Sequence, residues 1–220
     1  MADFNAMAET FDTLRRQKRS AVIAAEMLRH ITDAHAKTAL EYGCGTGLLG
    51  MIVQKNFRSF LFMDTSPGMV TRVAAKIARH TEGNLSVVCG TLLDDPVATM
   101  RFDYIFSSMV MHHVCDAPSL LRLFFQRLNP GGKLLLVDLD ADDGSFHADE
   151  PDFTGHHGFD HDWLLRSCAE AGFIQTAVRT FYRGERPVYE KQVPYSLFLL
   201  AAEKAMGMQG HDPCGSSGDR

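Results

Sequence analysis

The chain is short of the features that mark several whole classes of protein. It has no C-x-x-C pair, and its five cysteines, Cys44, Cys89, Cys115, Cys168 and Cys214, are an odd number scattered along 220 residues. A disulfide framework is thereby disfavoured, and reduced thiols in a cytoplasmic setting are expected. No apolar run is long enough to span a bilayer, and the N-terminus M-A-D-F-N-A-M-A-E-T-F-D is too acidic and interrupted for a signal peptide. A soluble protein with no membrane partner is expected. Basic clustering is also scarce: 22 Lys/Arg against 27 Asp/Glu give a formal net charge of -5, and only R-R-Q-K-R at Arg15 to Arg19 stands out. Nucleic acid is therefore not an expected partner. The basic run reads as the solvated face of an N-terminal helix, from which Arg15 or Arg16 reaches a carboxylate if that helix folds over a site.

What is present is a full core. At 45% hydrophobic, 220 residues suffice for one large α/β domain. The domain is expected over 1–206, with an N-terminal arm and helix at 1–31 and a lid-like insertion at 139–158. The tail at 207–220 has no periodicity and is expected to be disordered. The arm's apolar contacts are Phe4, Met7 and Phe11, and apolar residues at helical spacing predict a first amphipathic helix from Leu14 to Ile31.

Strand and helix patterns then alternate. Strands are expected at Thr38 to Tyr42, Ser59 to Met63, L-S-V-V-C before Gly90, F-D-Y-I-F-S, and Lys133 to Asp138. Helices are expected from about Leu48 to Lys55, from Pro67 to about His80 with Ser66 as N-cap, and from Asp116 to Leu128 before the breaker Asn129-Pro130-Gly131-Gly132. Asp160 caps a further helix ended by Gly172, and F-I-Q-T-A-V-R-T-F-Y and Y-S-L-F-L-L-A-A read as the last two strands. The alternation predicts an α/β, doubly wound, mostly parallel sheet with helices on both faces; the full fold expectation is a Rossmann-like sheet of seven strands, the last antiparallel. In such sheets ligands sit at the C-terminal strand ends, where Glu41, Asp64, Gly90, Ser107 and Asp138 fall.

The stretch from Thr38 to Gly50, T-A-L-E-Y-G-C-G-T-G-L-L-G, breaks from strand into glycines at Gly43, Gly45 and Gly47 and leads into a helix N-terminus, an arrangement suited to an electron-rich ligand. G-x-G-x-x-G at Gly45, Gly47 and Gly50 passes a loose test for a nicotinamide dinucleotide. Glu41 argues the other way, because a carboxylate near a pyrophosphate repels it. The same carboxylate attracts a ligand with an amino group and a sulfonium, such as S-adenosylmethionine.

At these residues the chain resembles the class I S-adenosylmethionine-dependent methyltransferases, and within them the small-molecule branch. E-Y-G-C-G-T-G looks like that family's first motif, D-T-S-P-G-M its second, F-D-Y-I-F-S-S-M-V-M-H-H-V its fourth, and L-N-P-G-G-K-L-L-L-V-D the following strand. The resemblance covers roughly Phe11 to Glu203. It implies that Glu41 serves the methionine amino group, that Gly43, Cys44, Gly45 and Gly47 give backbone contacts to the methionyl part, and that Asp64 accepts the ribose hydroxyls. It places Met69 and Thr65 against adenine, with Gly90, Thr91 and Leu92 along the adenine edge; Thr91 stands where many relatives carry an Asp. Ser107 and His112 would lie near the transferring methyl. The implied function is methyl transfer from S-adenosylmethionine, leaving S-adenosylhomocysteine, to a small-molecule acceptor, by a monomer or homodimer.

The candidates for a general base are His112, His113, His156 and His157, needed only for an acceptor that arrives protonated. His147, His156, His157 and His161 lie among Asp149, Asp152, Asp160 and Asp162 without a strong ligand spacing. The resemblance requires no metal, so none is expected. The competing readings are a nicotinamide-dependent oxidoreductase and a non-catalytic protein that binds S-adenosylmethionine.

Overall fold

The computed structural model describes residues 4–81 and 83–207. The expected disorder of the tail at 207–220 therefore falls, beyond Gly207, outside the described residues, as does Cys214.

Seven strands form one sheet: β1 (Thr38–Tyr42), β2 (Ser59–Asp64), β3 (Leu85–Cys89), β4 (Phe102–Ser108), β5 (Leu128–Leu139), β6 (Ile174–Val188) and β7 (Lys191–Glu203). Their spatial order is β3-β2-β1-β4-β5-β7-β6. The first five run parallel, and β7 is antiparallel to both β5 and β6. The last strand is thus antiparallel, inserted between β5 and β6. The strand order reverses between β1 and β4, so a crevice opens at their C-terminal ends.

Both faces of the sheet are covered, which is why its strands read as continuous apolar runs rather than as alternations. Along β5, Leu134 and Leu136 enter one core layer with Phe124 and Leu164, while Leu135 and Val137 enter the other with Ile23 and Met27. An aromatic cluster of Phe57, Phe60, Tyr104 and Phe106 fills the second layer beneath β1 and β2. Residues of one strand thereby serve two cores, because successive side chains leave a strand on opposite faces.

The helices are α1 (Phe4–Met7), α2 (Leu14–Leu28), α3 (Gly50–Val53), α4 (Pro67–Ile77), α5 (Ala117–Arg127) and α6 (His161–Ala171). Ser66 caps α4 through the Met69 N–H with Pro67 in the first turn, and Asp160 caps α6 through the Trp163 N–H, as their sequence signals indicate. Gly172 ends α6 with φ 102°. The helix expected from Leu48 to Lys55 is a single α turn followed by a 3-10 turn, Gln54–Asn56. Asn129-Pro130-Gly131-Gly132 lies within the bounds of β5, yet it interrupts the pairing: β4 meets β5 at Phe102–Leu128 and again only at Tyr104–Lys133.

β6 and β7 extend beyond the sheet as one long hairpin through Tyr189 and Glu190. The aromatic-rich segment F-Y-R-G-E-R-P-V-Y-E is the arm of that hairpin. Arg186 on it donates to the Phe146 carbonyl at 2.6 Å and to both oxygens of Asp149 at 2.8 and 2.7 Å. The insertion at 139–158 is therefore tied to the hairpin at its middle, around Phe146 and Asp149. No helix among the described residues is long and apolar enough to cross a membrane.

Candidate functional site

The crevice at the β1/β4 reversal is a cavity of about 290 Å³. Its floor is the glycine loop after β1. Gly43, Gly45 and Gly47 all take positive φ, at 68°, 52° and 79°, a backbone that side chains other than glycine adopt only with strain. A Cβ on Gly43 would also overlap the Val110 side chain. The loop is held by the next strand: the Gly45 N–H donates to Asp64 Oδ2 at 2.7 Å, and the Cys44 N–H to the Met63 carbonyl at 2.9 Å. Asp64 Oδ1 accepts from the Ser66 N–H at 2.9 Å. A carboxylate offers about four lone-pair sites, so two remain on the cavity side for a ligand.

Glu41 is 3% exposed, and its Oε2 has no hydrogen-bond partner. Burial, and after it the charge of Asp64, push its pKa up to about 8, against a lowering by the Gly50 N–H and Lys76. A Cβ on Gly50 would overlap the Glu41 carboxyl, so this glycine is required for close approach. Free, the site thus holds a neutral carboxylic acid; a cation placed beside it would turn it into a carboxylate. Cys44 is buried in the same wall, and burial, Glu41 and Asp64 hold its thiol well above the usual range, making it an uncharged lining group.

Of the residues singled out from the sequence, Glu41, Gly43, Cys44, Gly45, Asp64, Thr65, Met69, Gly90 and His113 line the cavity. Gly47 shapes the loop from beneath, against Val73 and Phe62. Leu92 does not face the ligand space; it is 1% exposed within the core under β4. Thr91 turns its hydroxyl and N–H to Asp94 Oδ2, at 2.9 and 2.7 Å. Ser107 is 1% exposed with an unpartnered hydroxyl, and the wall beside it is made by Ser108, Met109 and Val110. The alternation of a strand explains the one-residue difference. Met109 takes φ 60°, an uncommon conformation for a non-glycine residue, at this wall.

The histidines divide in the same way. His112 is buried behind the wall, its Nδ1 2.5 Å from Asp138 Oδ1, and Asp138 also accepts from the His112 and Leu139 N–H groups. Burial alone would raise Asp138, but the His112 charge and these hydrogen bonds outweigh it and hold the carboxyl below its ordinary value. His113 faces the cavity, with Phe4 edge-on at 5.1 Å. Burial, and next the neighbouring His112, lower its pKa to about 4. His147 is lowered to about 3 by burial and then by His112 and His113. His156 and His157 do not line the cavity: the His156 ring bonds the Val114 carbonyl at 3.1 Å, and His157 packs against Gly144 and Phe153.

The roof comes from the N-terminal segment. α1, α2 and the segment between them fold over the glycine loop, and Phe4, Phe11, Arg16, Arg19 and Ile23 close the cavity from above. Asn5 Oδ1 accepts from the Gly68 N–H at 2.7 Å. Asp12 accepts from the Thr46 hydroxyl and from Lys76 Nζ at 2.9 Å, pinning the arm to the loop and to α4. Arg16 lies over the Phe11 ring at 4.1 Å and donates to the Phe11 carbonyl. Arg19 has no hydrogen-bond or ion-pair partner among the described residues. The sequence offers Arg15 or Arg16 as reaching a carboxylate only if the basic helix folds over the site; it does fold over, and Arg16 lines the cavity and meets the Phe11 carbonyl rather than a carboxylate, while nothing in the spacing singles out Asp12, Thr46 or Lys76.

Known proteins resemble much of the chain. A family model described as a methyltransferase domain matches residues 14–183. Malonyl-[acyl-carrier protein] O-methyltransferase of Herminiimonas arsenicoxydans is 32% identical over 134 residues, 60% of this chain and 47% of that protein. The chain spans about half the length of the curated relatives it matches first. Among solved structures, a Haloferax volcanii methyltransferase in complex with the Trm112 activator superposes with a TM-score of 0.72 at 16% identity, over 93% of this chain and 99% of that one. Phosphoethanolamine N-methyltransferase 2 of Haemonchus contortus, solved with S-adenosyl-L-methionine, gives 0.70 at 14% identity, over 94% and 61%. At these identities the superpositions establish the fold.

Proposed function

The chain belongs to the class I S-adenosylmethionine-dependent methyltransferases, and from that premise we propose that its crevice transfers the S-adenosylmethionine methyl group to a small-molecule acceptor. The observation that carries the reading is Glu41, a buried carboxyl with an unpartnered oxygen, facing the same cavity as Asp64. A dinucleotide would bring phosphates to that carboxyl. An amino acid nucleoside brings a cationic amino group and a sulfonium, and the neutral acid becomes its counter-ion.

In this reading Asp64 accepts the ribose hydroxyls with its two remaining lone-pair sites. Met69 and Thr65 flank adenine, Gly90 allows its close approach, and the Gly43 and Gly45 backbone meets the methionyl chain. Arg16 and Arg19 supply the cations that the methionyl carboxylate calls for. The sulfonium is an activated donor, so the protein's task is to hold the acceptor in line with the S–CH3 bond and keep water out. Phe4, Phe11 and Met109 are apolar groups suited to that exclusion. The roof that the N-terminal segment lays over the partly open cavity supports a small acceptor.

Calorimetric titration with S-adenosylmethionine and with NAD tests the reading, followed by assay of S-adenosylhomocysteine release over a panel of oxygen, nitrogen, sulfur and carbon nucleophiles. Binding of S-adenosylmethionine with turnover on at least one small acceptor is expected. NAD binding without a response to S-adenosylmethionine would overturn the proposal. Cofactor binding with no turnover across the panel would point to a non-catalytic binding protein.

A further inference from the structure

Three histidines that no step of the proposed methyl transfer uses come together behind the cavity wall. His112 and His113 are neighbours on a 3-10 turn after β4, Met111–His113, and His147 ends a second 3-10 turn, Ser145–His147, inside the insertion. One ring nitrogen from each lies within 4.8 Å of the others. The sequence reading weighed a metal only among His147, His156, His157, His161 and the acids around them. The fold sorts those apart: His161 bonds Asp140 at 2.7 Å and His156 the Val114 carbonyl, while His147 alone reaches the His112–His113 pair.

We infer that His112, His113 and His147 form a binding site for a divalent transition-metal ion of the zinc class, with its open side toward the cavity.

Three independent features support the site. First, the donor set is three imidazoles, which suits zinc and its neighbours and leaves one tetrahedral position free. Second, Asp138 holds His112 Nδ1 at 2.5 Å, leaving Nε2 as the nitrogen His112 has to offer. A carboxylate behind a ligating imidazole is the arrangement that orients and strengthens such ligands. Third, His147 is 4% exposed, and its Nδ1 is buried without a hydrogen-bond partner. An orphaned buried ring nitrogen is costly unless something occupies it.

The surroundings do not oppose a cation. Arg186 bears on the charge of His147 but is itself paired with Asp149 and Glu150. Phe153 stacks on the His147 ring at 3.7 Å between centroids and 4° between planes, fixing its tilt while leaving its edge free. Metal–nitrogen bonds of about 2.0–2.1 Å in a tetrahedral site require the three nitrogens, which lie within 4.8 Å of one another, to draw closer by up to about 1.5 Å. His113 is the member that lines the cavity. An ion held there would meet the acceptor and lower the pKa of a hydroxyl or thiol. That consequence rests on the methyl-transfer reading; the metal site itself does not.

The test uses the full chain without cofactor, stripped of metal by a chelator and titrated with Co²⁺ alone, then with Zn²⁺ in competition. One equivalent of Co²⁺ should bind with the visible absorption of a low-symmetry, near-tetrahedral site, and Zn²⁺ should bleach it. His147→Ala and His113→Ala should each weaken binding at least about 100-fold, more than the loss expected from an outer-shell change. His35→Ala, at an exposed histidine elsewhere, should leave it unchanged. Circular dichroism and melting temperature verify folding, and His147→Asn serves if the alanine variant does not fold. Absence of stoichiometric binding in the unaltered chain, or equal binding by folded His113 and His147 variants, would overturn the inference. Neither result bears on S-adenosylmethionine titration, so the two proposals fail separately.

Discussion

The two halves of the crevice are built differently. The glycine-loop half is local: Gly43, Gly45, Asp64 and Ser66 lie in two adjacent parallel strands and the turns that leave them, joined by backbone N–H groups donating to one carboxylate. The opposite half is assembled from distant segments: the N-terminal arm, α2 and the turn after β4 line it, and the insertion, held by the β6–β7 hairpin, packs behind that turn. Its contacts are between side chains, among them His112 with Asp138 and Arg186 with Asp149. A glycine-loop subsite can thus be encoded in one βαβ unit, whereas the wall facing it is a product of tertiary assembly.

Perturbations should therefore separate the halves. The largest effect is expected at Asp138→Ala, which leaves His112 without its buried partner and should lower unfolding free energy by about 3–5 kcal/mol. Urea unfolding monitored by fluorescence measures it; a loss under about 1 kcal/mol would mean that the pair does not hold the far wall. Asp64→Asn comes next. It keeps the shape but removes the charged acceptor, and should weaken S-adenosylmethionine binding by roughly 10- to 100-fold with a much smaller change in melting temperature. If affinity is unchanged, Asp64 serves the loop alone.

Arg19→Met should cost about fivefold in S-adenosylmethionine affinity, in keeping with one charge-assisted hydrogen bond at a partly open site. The same variant should bind a cofactor analogue lacking the carboxylate as well as the unaltered chain does, and a loss for both ligands would remove Arg19 from that role. The smallest effect is expected at Lys76→Met. Its bond to Asp12 joins side chains that are 30% and 26% exposed, so the loss should stay under about 1 kcal/mol. It should nevertheless speed amide exchange in the N-terminal arm, and an arm that exchanges as before would show that other contacts pin the roof.

What could be read from the sequence follows the same division. The alternating strands and helices, the Ser66 and Asp160 caps and the Gly172 stop were legible because period, capping and glycine geometry are local rules. Glu41 and Asp64 were legible because both close adjacent parallel strands, where position along the chain is position in the crevice. Ser107 and Leu92 illustrate the limit. Each lies within one or two residues of the cavity wall, but the pleat and the following turn direct them into the interior, and a motif at single-residue precision does not carry that. The ties that hold the roof were illegible for another reason. Asp12 reaches Thr46 and Lys76 across 34 and 64 residues, by ordinary polar side chains with no spacing rule. The meeting of His147 with His112 and His113 likewise depends on where Arg186 anchors the insertion.

Glu41 is the residue on which the account turns, and its proton gives the most direct measurement. Its folded pKa of about 8 lies above the ordinary 4.5, so the folded chain keeps a proton that the unfolded chain loses. Between those values the stability of the free protein falls as pH rises. A cationic ligand reverses the preference: binding below about pH 8 expels the Glu41 proton, and affinity climbs with pH until that point. Titration calorimetry with S-adenosylmethionine at about pH 6.5, repeated in buffers of different ionisation enthalpy, counts that proton for the unaltered chain and for Glu41→Gln. The account predicts that the unaltered chain releases about one proton more than Glu41→Gln and binds more tightly. Equal proton counts with equal affinities would contradict it.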